Sequence, residues 1–320
     1  MKICYLVLVY NNIKDTIETL ESIRKQTLKE IDILVVDNNS NEEAVTAVKN
    51  YSVVNNIEYI HRSVNDGYAG GNNYGFKLLK DKYDYIFVVN NDIILNDKYL
   101  TQKLLQLLDS DEKIAIAGPR VLVENNEDIP ESSLNNFFFY RLQHGKYKSY
   151  NNYKEKHAII GCFLAVKTKC IEDDFLFDDS LFMYGEELDL CLRVQQKGYK
   201  VVQIVEKSCS IYHKGGYSSY SRGKPWVYYL SIRNALLSAR RISLLLRFLY
   251  IGLYFFSFKK IYFKLKNREV YKNALRKGFY KGLKFLLTNA KYERIKNDSE
   301  IALQKYRGGG IDNIYASGAI

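Results

Sequence analysis

Short β-branched and apolar runs alternate with stretches of helical period through the first third of the chain, and few folds accommodate that order. Ile3 to Val9, Ile31 to Val36, Ile57 to Ile60, Tyr85 to Val89 and Ile114 to Ala117 read as strands. The second is apolar nearly throughout, as a strand buried on both faces would be. Asn12 followed by Asp15 resembles a capping box and opens a helix that runs to Gln26. Further helical stretches lie near 41–50, 72–80 and 97–109. The order predicts an α/β fold with a mostly parallel central sheet and helices on both faces.

Beyond that point the signal changes. Residues 120–156 are polar and aromatic without a period and read as an excursion over the sheet, a flexible acceptor-side loop. Ile159 to Val166 returns as a strand, Glu186 to Lys197 as a helix stopped by Gly198, and Val201 to Val205 as a strand. After Pro225 the pattern is helical to about Lys296. This divides the chain into a catalytic domain at 1–220, a basic and aromatic helical region at 221–305 and a loose tail at 306–320.

Hydrophobic residues make up 47% of the 320, enough for a core, which excludes global disorder. The 5 cysteines are odd in number and none are spaced C-x-x-C, so neither a disulfide framework nor a zinc site is expected. The N-terminal apolar run is too short for a signal peptide. No run reaches about 18 uncharged apolar residues, so no span is expected. These features point to a reducing, cytoplasmic setting.

In an open parallel sheet, ligands bind at the carboxyl ends of the strands. Three of these ends carry polar residues in phase: Tyr10-Asn11-Asn12, Asp37-Asn38-Asn39-Ser40 and Asn90-Asn91-Asp92. Asp37 suits a ribose or a base N–H, or a cap on the following helix. Asp92 suits a hard divalent cation held between protein and diphosphate, with Asn90 a neutral neighbour. Asn65 to Gly75 is a glycine-rich turn entering a helix, where backbone can approach a ligand closely. Glu186, Glu187 and Asp189 cluster at a helix start, where the macrodipole favours negative charge. Asp189 and Arg193 can pair at i,i+4, whereas two adjacent glutamates after an aromatic-Gly turn suggest a general base. His213, just past a strand, is a candidate metal or phosphate ligand.

The ordered series of VYNN at 9–12, VVDNNS at 35–40, NDGYAGGNNYG at 65–75 and VVNND at 88–92 resembles family 2 glycosyltransferases with a GT-A fold. GCFLAVKTK at 161–169, FMYGEELDLCLR at 182–193, YHKGGYSS at 212–219 and YYLSIRN at 228–234 continue it, in the manner of the rhamnosyltransferase-like branch. The resemblance covers about residues 3–240 and implies an inverting transfer from a dTDP- or UDP-sugar (rhamnose-like, galactose-like or galactofuranose-like) to a lipid-linked glycan acceptor in bacterial surface polysaccharide synthesis. By the same resemblance the cofactor is a divalent metal, Mn2+ or Mg2+. It implies Asp92, His213 and Asn90 at the metal, and Glu187 as base with Glu186 as its alternative. It further implies donor contacts by Tyr10, Asn11, Asp37, Asn39, Asn65, Gly67, Gly71, Asn72, Asn91 and Asp189. Two positions depart from the family pattern: Asn90 stands where an Asp is usual in the metal motif, and Glu187 where the base is more often Asp.

Between Arg222 and Arg307, roughly 21 basic residues face roughly 4 acidic ones. Residues 243–258 are apolar and aromatic apart from Arg247, and a basic-aromatic stretch follows. Such a helix suits the membrane interface, on an anionic inner leaflet. The alternative of a nucleic-acid-binding or non-catalytic protein uses the same basic region, although no nucleic-acid-binding motif is present. A homodimer remains open.

Overall fold

The computed structural model describes residues 1–123, 127–128, 148–214, 224–266 and 268–306. The segments 124–126, 129–147, 215–223 and 307–320 lie outside the described residues, and with them most of the expected acceptor-side loop, part of the YHKGGYSS motif and the tail.

The chain opens with β1 (Ile3–Val9), α1 (Ile13–Arg24), β2 (Asp32–Asp37), α2 (Glu42–Val54), β3 (Glu58–His61), α3 (Gly67–Leu79) and β4 (Tyr85–Asn90). It continues through β5 (Ile93–Leu95), α4 (Leu100–Asp109), β6 (Ile114–Gly118), β7 (Arg120–Val123) and β8 (Glu127–Asp128). Then follow β9 (Tyr153–Glu155), β10 (Phe163–Lys167), α5 (Glu186–Gln196), β11 (Lys200–Ile204) and β12 (Ser210–His213). Four helices close the described chain: α6 (Pro225–Ser238), α7 (Leu244–Lys264), α8 (Glu269–Leu287) and α9 (Tyr292–Tyr306).

Among the described residues the main sheet runs β3-β2-β1-β4-β10-β6-β11-β9. β1 pairs in parallel with both β2 and β4, and β10 lies antiparallel between β4 and β6. The strand order reverses at β1, which places a crevice above its carboxyl end.

β1 shows why both faces are covered. Cys4, Leu6 and Leu8 point into one core and Ile3, Tyr5, Val7 and Val9 into the other, all buried. Helices α3, α5 and α6 cover the first face, and α1 and α4 the second. A strand with two buried faces reads as a continuous apolar run, as Ile3–Val9 does. The C-terminal helices share that first core with the sheet, through Trp226, Leu230, Tyr250 and Phe279.

Two expectations need correction. The glycine-rich stretch is already helix from Gly67 onward, rather than a turn leading to a helix at 72. A Cβ on Gly71 would meet Leu8 Cδ1 at 2.5 Å, and one on Gly75 would meet Leu6 Cδ1 at 2.3 Å. Gly71 therefore serves close helix–sheet packing. The aperiodic region from 120 contains short strands as well, because β7 and β8 join β5 and β12 in a second small sheet, and β9 edges the main one. Strands of two to four residues are too short to display a period.

Candidate functional site

The second strand end is knitted to the first. Asn11, at φ 57°, donates its N–H to Ser40 Oγ at 2.9 Å and accepts the Asn41 N–H at 2.6 Å. Asp37 is fully buried; its Oδ1 accepts the Ser40 N–H at 2.8 Å and lies 3.1 Å from His61 Nδ1. The cap of α2 is Asn41, which accepts from Ala44 N at 2.9 Å, so Asp37 is not needed as one. Tyr10 is buried beside it, and Asn39 stands exposed at φ 70°.

Asn38 ties this end to the glycine segment. Its amide donates to Asn65 Oδ1 and to the Gly67 carbonyl, both at 2.9 Å, and its Oδ1 accepts from Arg62 Nη1 at 2.9 Å. Arg62 Nη2 donates to Asp66 at 2.6 Å. Gly67 sits at φ +76°, and a Cβ there would lie 2.5 Å from the Phe182 carbonyl oxygen. That same oxygen accepts the Ala69 N–H at 3.2 Å, so a first-turn donor of α3 is engaged by protein. Asn72 is buried in the helix and donates to the Tyr68 carbonyl at 2.9 Å, while its Oδ1 has no hydrogen-bond partner among the described residues.

At the end of β4, three consecutive side chains part company. The Asn90 N–H donates to the Cys162 carbonyl at 3.0 Å, and Asn90 Oδ1 is buried with no hydrogen-bond partner among the described residues. Asn91 turns to α1 and donates to Thr16 Oγ1 at 2.9 Å. Asp92 is 1% exposed, and its Oδ1 lies 3.2 Å from His213 Nε2. The β5–β12 ladder makes this meeting, since His213 pairs in register with Ile93. Two ligands on one octahedral cation at ~2.1 Å stand about 3 Å apart. The carboxylate and imidazole therefore fit a divalent cation that keeps positions for phosphate oxygens, and the unpartnered Asn90 Oδ1 stands two residues before that carboxylate. A different acidic group, Asp97, Glu206 and Cys209, is spanned by the Lys103 ammonium at 2.9 Å from Asp97 and 2.5 Å from Glu206, in the place a cation would take.

The glutamates arrive on a strained loop. Phe182, Tyr184 and Gly185 have φ of 65°, 71° and 94°. A non-glycine residue in that region costs about 1–2 kcal/mol. Glu186 is 5% exposed, and its Oε2 has no hydrogen-bond partner among the described residues. Burial, then the charge of Glu187, pushes its carboxyl well above the usual range. Glu187 is half-buried and raised by burial. Its side chain passes over Gly161, where a Cβ would stand 3.3 Å from Glu187 Cβ. Tyr68 donates to the Gly161 carbonyl at 2.8 Å. Burial raises the Tyr68 phenol, and Glu186, Cys162, Glu187 and Asp92 raise it further. Burial likewise raises the Cys162 thiol, with Asp92 and Glu187 adding to it. Gly161 and Cys162 thus link the two ends, with Glu187 and the Tyr68 hydroxyl at Gly161 and the Asn90 N–H on the Cys162 carbonyl.

Asp189 does not join them. It accepts from Arg193 Nε at 3.0 Å and from Arg241 at 2.8 and 3.0 Å. Burial raises its carboxyl, but Arg241, Arg240 and Arg193 outweigh this and hold it below the usual range. A carboxylate so enclosed by guanidinium groups ties α5 to the segment that carries Arg241.

The sequence profile described as glycosyl transferase family 2 matches residues 4–174, more than half of the chain. The chain belongs to that family.

A curated relative is the low-salt glycan biosynthesis hexosyltransferase Agl10 of Haloferax volcanii, 28% identical over 180 residues, covering 54% of this chain and 56% of the relative. The chain thus spans little more than half of that protein. Among solved structures, residues 1–349 of S. aureus TarS in complex with UDP-GlcNAc superpose with a TM-score of 0.59 at 17% identity, over 97% of this chain and 92% of that one. The mannosyltransferase PcManGT of Pyrobaculum calidifontis, in complex with GDP-Man and Mn2+, gives 0.55 at 12% identity, covering 97% of this chain and 76% of the other. These likenesses establish the GT-A fold for this family 2 chain.

Sequence reading missed several residues of the site: Arg62, His61, Tyr68 and Asn234. Arg62 and His61 follow the short β3, and Tyr68 lay within a quoted motif whose glycines drew the attention. Asn234 Nδ2 donates to the Leu181, Met183 and Tyr184 carbonyls at 3.1, 2.9 and 2.8 Å. Its signal was the YYLSIRN stretch, where an Arg-Asn pair interrupts an apolar helix.

Proposed function

We propose that this chain is an inverting glycosyltransferase that moves a hexose-type sugar from a dTDP- or UDP-sugar to a lipid-linked glycan acceptor, with a divalent cation, Mn2+ or Mg2+. The observation that carries this reading is the Asp92–His213 pair at the end of β4, with Glu187 packed over Gly161, next to Cys162, whose carbonyl accepts the Asn90 N–H. Asp37, Tyr10 and Asn11 line the adjoining strand ends as the nucleotide subsite, with Asn39, Asn65 and Gly67 at its edge. Asp92 and His213 hold the cation, with Asn90 Oδ1 completing the protein ligands. When bound, the cation offsets the charge that gathers on the departing diphosphate. Glu187, open to the crevice, takes the proton from the acceptor hydroxyl. That oxygen bonds to the anomeric carbon as the bond to the diphosphate oxygen breaks, and the bonding pair leaves with the nucleoside diphosphate. Attack opposite the leaving group inverts the centre.

Nucleotide binding tests this. Ligands that bind only the folded state raise the melting midpoint by mass action. UDP or dTDP with Mn2+ is expected to raise it, and GDP and CDP to raise it less. No shift with any of the four, on folded protein, would overturn the reading.

The acceptor side includes a membrane surface in this proposal. Helix α7 buries Tyr250 and Phe258 but leaves Leu245 77%, Phe248 61%, Phe256 67% and Phe263 70% exposed. Contiguous apolar faces of this kind mark interaction surfaces. Lys259, Lys260 and Lys264 follow on the same exposed side, which suits an anionic leaflet. Among the described residues no helix is long and apolar enough to cross a membrane, so α7 would lie in the interface. Vesicles containing phosphatidylglycerol are expected to sediment the protein, and phosphatidylcholine alone to do so weakly. Replacing Phe248 and Phe256 by Ser is expected to lower vesicle affinity at least about tenfold, as the loss of two buried aromatic contacts requires. Unchanged sedimentation of the double variant would exclude α7 as the contact.

A further inference from the structure

The loop that carries the glutamates does not hold its shape unaided. Between Leu181 and Glu186 it takes three left-handed residues, two of them aromatic. Turn bonds such as Met183 N–H to the Leu181 carbonyl at 2.8 Å hold part of it, and several of its carbonyls are met from elsewhere. Asn234, 1% exposed on α6, spreads its amide over the carbonyls of Leu181, Met183 and Tyr184. Its orientation is fixed from behind, because Oδ1 accepts from Arg233 Nε at 2.8 Å. A flipped amide would aim its oxygen at the carbonyls and its N–H2 at a guanidinium, with every contact repulsive.

Arg233 has no exposed surface and pairs with Asp298 Oδ2 at 2.9 Å on α9. It also donates to Ser299 Oγ at 2.8 Å. Ser299 in turn donates to the Ser180 carbonyl at 2.8 Å, at the entrance to the loop. On the opposite side, the Phe182 carbonyl rests on Gly67 and on the Ala69 N–H.

We infer that Asn234, oriented by Arg233 and Asp298, is a positioning residue that sets the glutamate pair for proton transfer. The loop is clamped between the donor side, at α3, and the C-terminal helices, at α6 and α9. The clamp acts on the first residues of α5, where Glu186 and Glu187 begin. A displacement of about 1 Å at a reacting group costs on the order of 100-fold in rate. The inference rests on the transferase reading for its consequence, but not for its geometry.

The test uses Asn234→Ala and Asn234→Gln in the full chain, with three readouts. Hydrogen exchange of residues 180–188 is expected to speed at least about tenfold in Asn234→Ala, as local opening becomes easier, with protection in β1 and β4 retained. The midpoint shift with UDP and Mn2+ is expected to remain. With a turned-over UDP- or dTDP-sugar, kcat is expected to fall about 100-fold with little change in donor KM. Asn234→Gln, which keeps the donor amide, is expected to recover part of both protection and kcat. If Asn234→Ala does not fold, Asn234→Gln and Asp298→Asn are read in the same way. Unchanged exchange at 180–188 in the folded variants would overturn the inference, as would a loss expressed in donor KM alone. Wild-type protein that binds no nucleotide while Asn234→Ala still loosens 180–188 would sink the transferase reading and leave the positioning geometry standing.

Discussion

Glu187→Gln is expected to lose about 100- to 10,000-fold in kcat, the range removed with a general base, while UDP or dTDP with Mn2+ still raises its melting midpoint. The substitution keeps the volume of the side chain over Gly161 and removes the ability to take a proton. Glu187 is chosen over Glu186 because it is half-buried, whereas Glu186 is 5% exposed and its Oε2 meets no partner among the described residues. A base must reach an incoming hydroxyl, and Glu186 is too enclosed to do so. If Glu186→Gln is the inactive variant and Glu187→Gln turns over, the roles are reversed.

The pH dependence follows from the same burial. Both carboxyls are raised above 4.5, and two interacting acids titrate as a pair. A base works ionised, so activity is expected to fall as pH drops through the raised value, with an acid limb above the ordinary Glu range. The stability effect has the opposite direction. A carboxyl with a raised folded pKa holds its proton when the unfolded chain has released it. Its contribution is complete below the unfolded value and lost as pH rises through the folded one. Glu186→Gln removes that loss and is expected to raise the melting midpoint at neutral pH more than at pH near the unfolded value. An equal midpoint change at both pH values would show that burial does not perturb Glu186.

Much of this site could be read from strand ends, because a buried parallel strand announces itself and its next residue is placed by the sheet. That logic picked out Asp37 and Asp92, whereas the glutamates were legible from the aromatic-Gly turn before a helix. It failed where long-range partners decide. Asp189 and Arg193 were legible as an i,i+4 pair, but Arg241, 52 positions away, completes the enclosure. Asn90, Asn91 and Asp92 look alike in sequence; Thr16 on α1 is what draws Asn91 out of the site. The glycines suggested a phosphate-binding turn, yet Gly71 and Gly75, four apart, lie on the sheet-facing side of α3. His213 reached Asp92 through β5, a strand of three residues that carries no period of its own.

Asp92→Asn is expected to abolish the metal-dependent part of nucleotide binding. In wild-type protein EDTA should remove most of the midpoint shift given by UDP or dTDP with Mn2+; in the variant the shift should be small and indifferent to EDTA. Turnover is expected to fall at least about 100-fold, equivalent to roughly 3 kcal/mol of stabilisation on the leaving diphosphate. The neutral neighbour makes the argument sharper. Asn90 Oδ1 is buried and lacks a hydrogen-bond partner among the described residues, a costly state for a polar atom unless a ligand satisfies it. Asn90→Asp would place a second charge beside Asp92. Without metal the two carboxylates repel and the melting midpoint should drop; with Mn2+ the same charge should tighten metal binding, so the midpoint gained on adding Mn2+ should exceed that of wild type. The two signs together are specific to a cation at this strand end. A variant that loses stability with and without Mn2+ alike would move the metal away from Asn90, and an Asp92→Asn protein that keeps its EDTA-sensitive shift would remove Asp92 from the metal site.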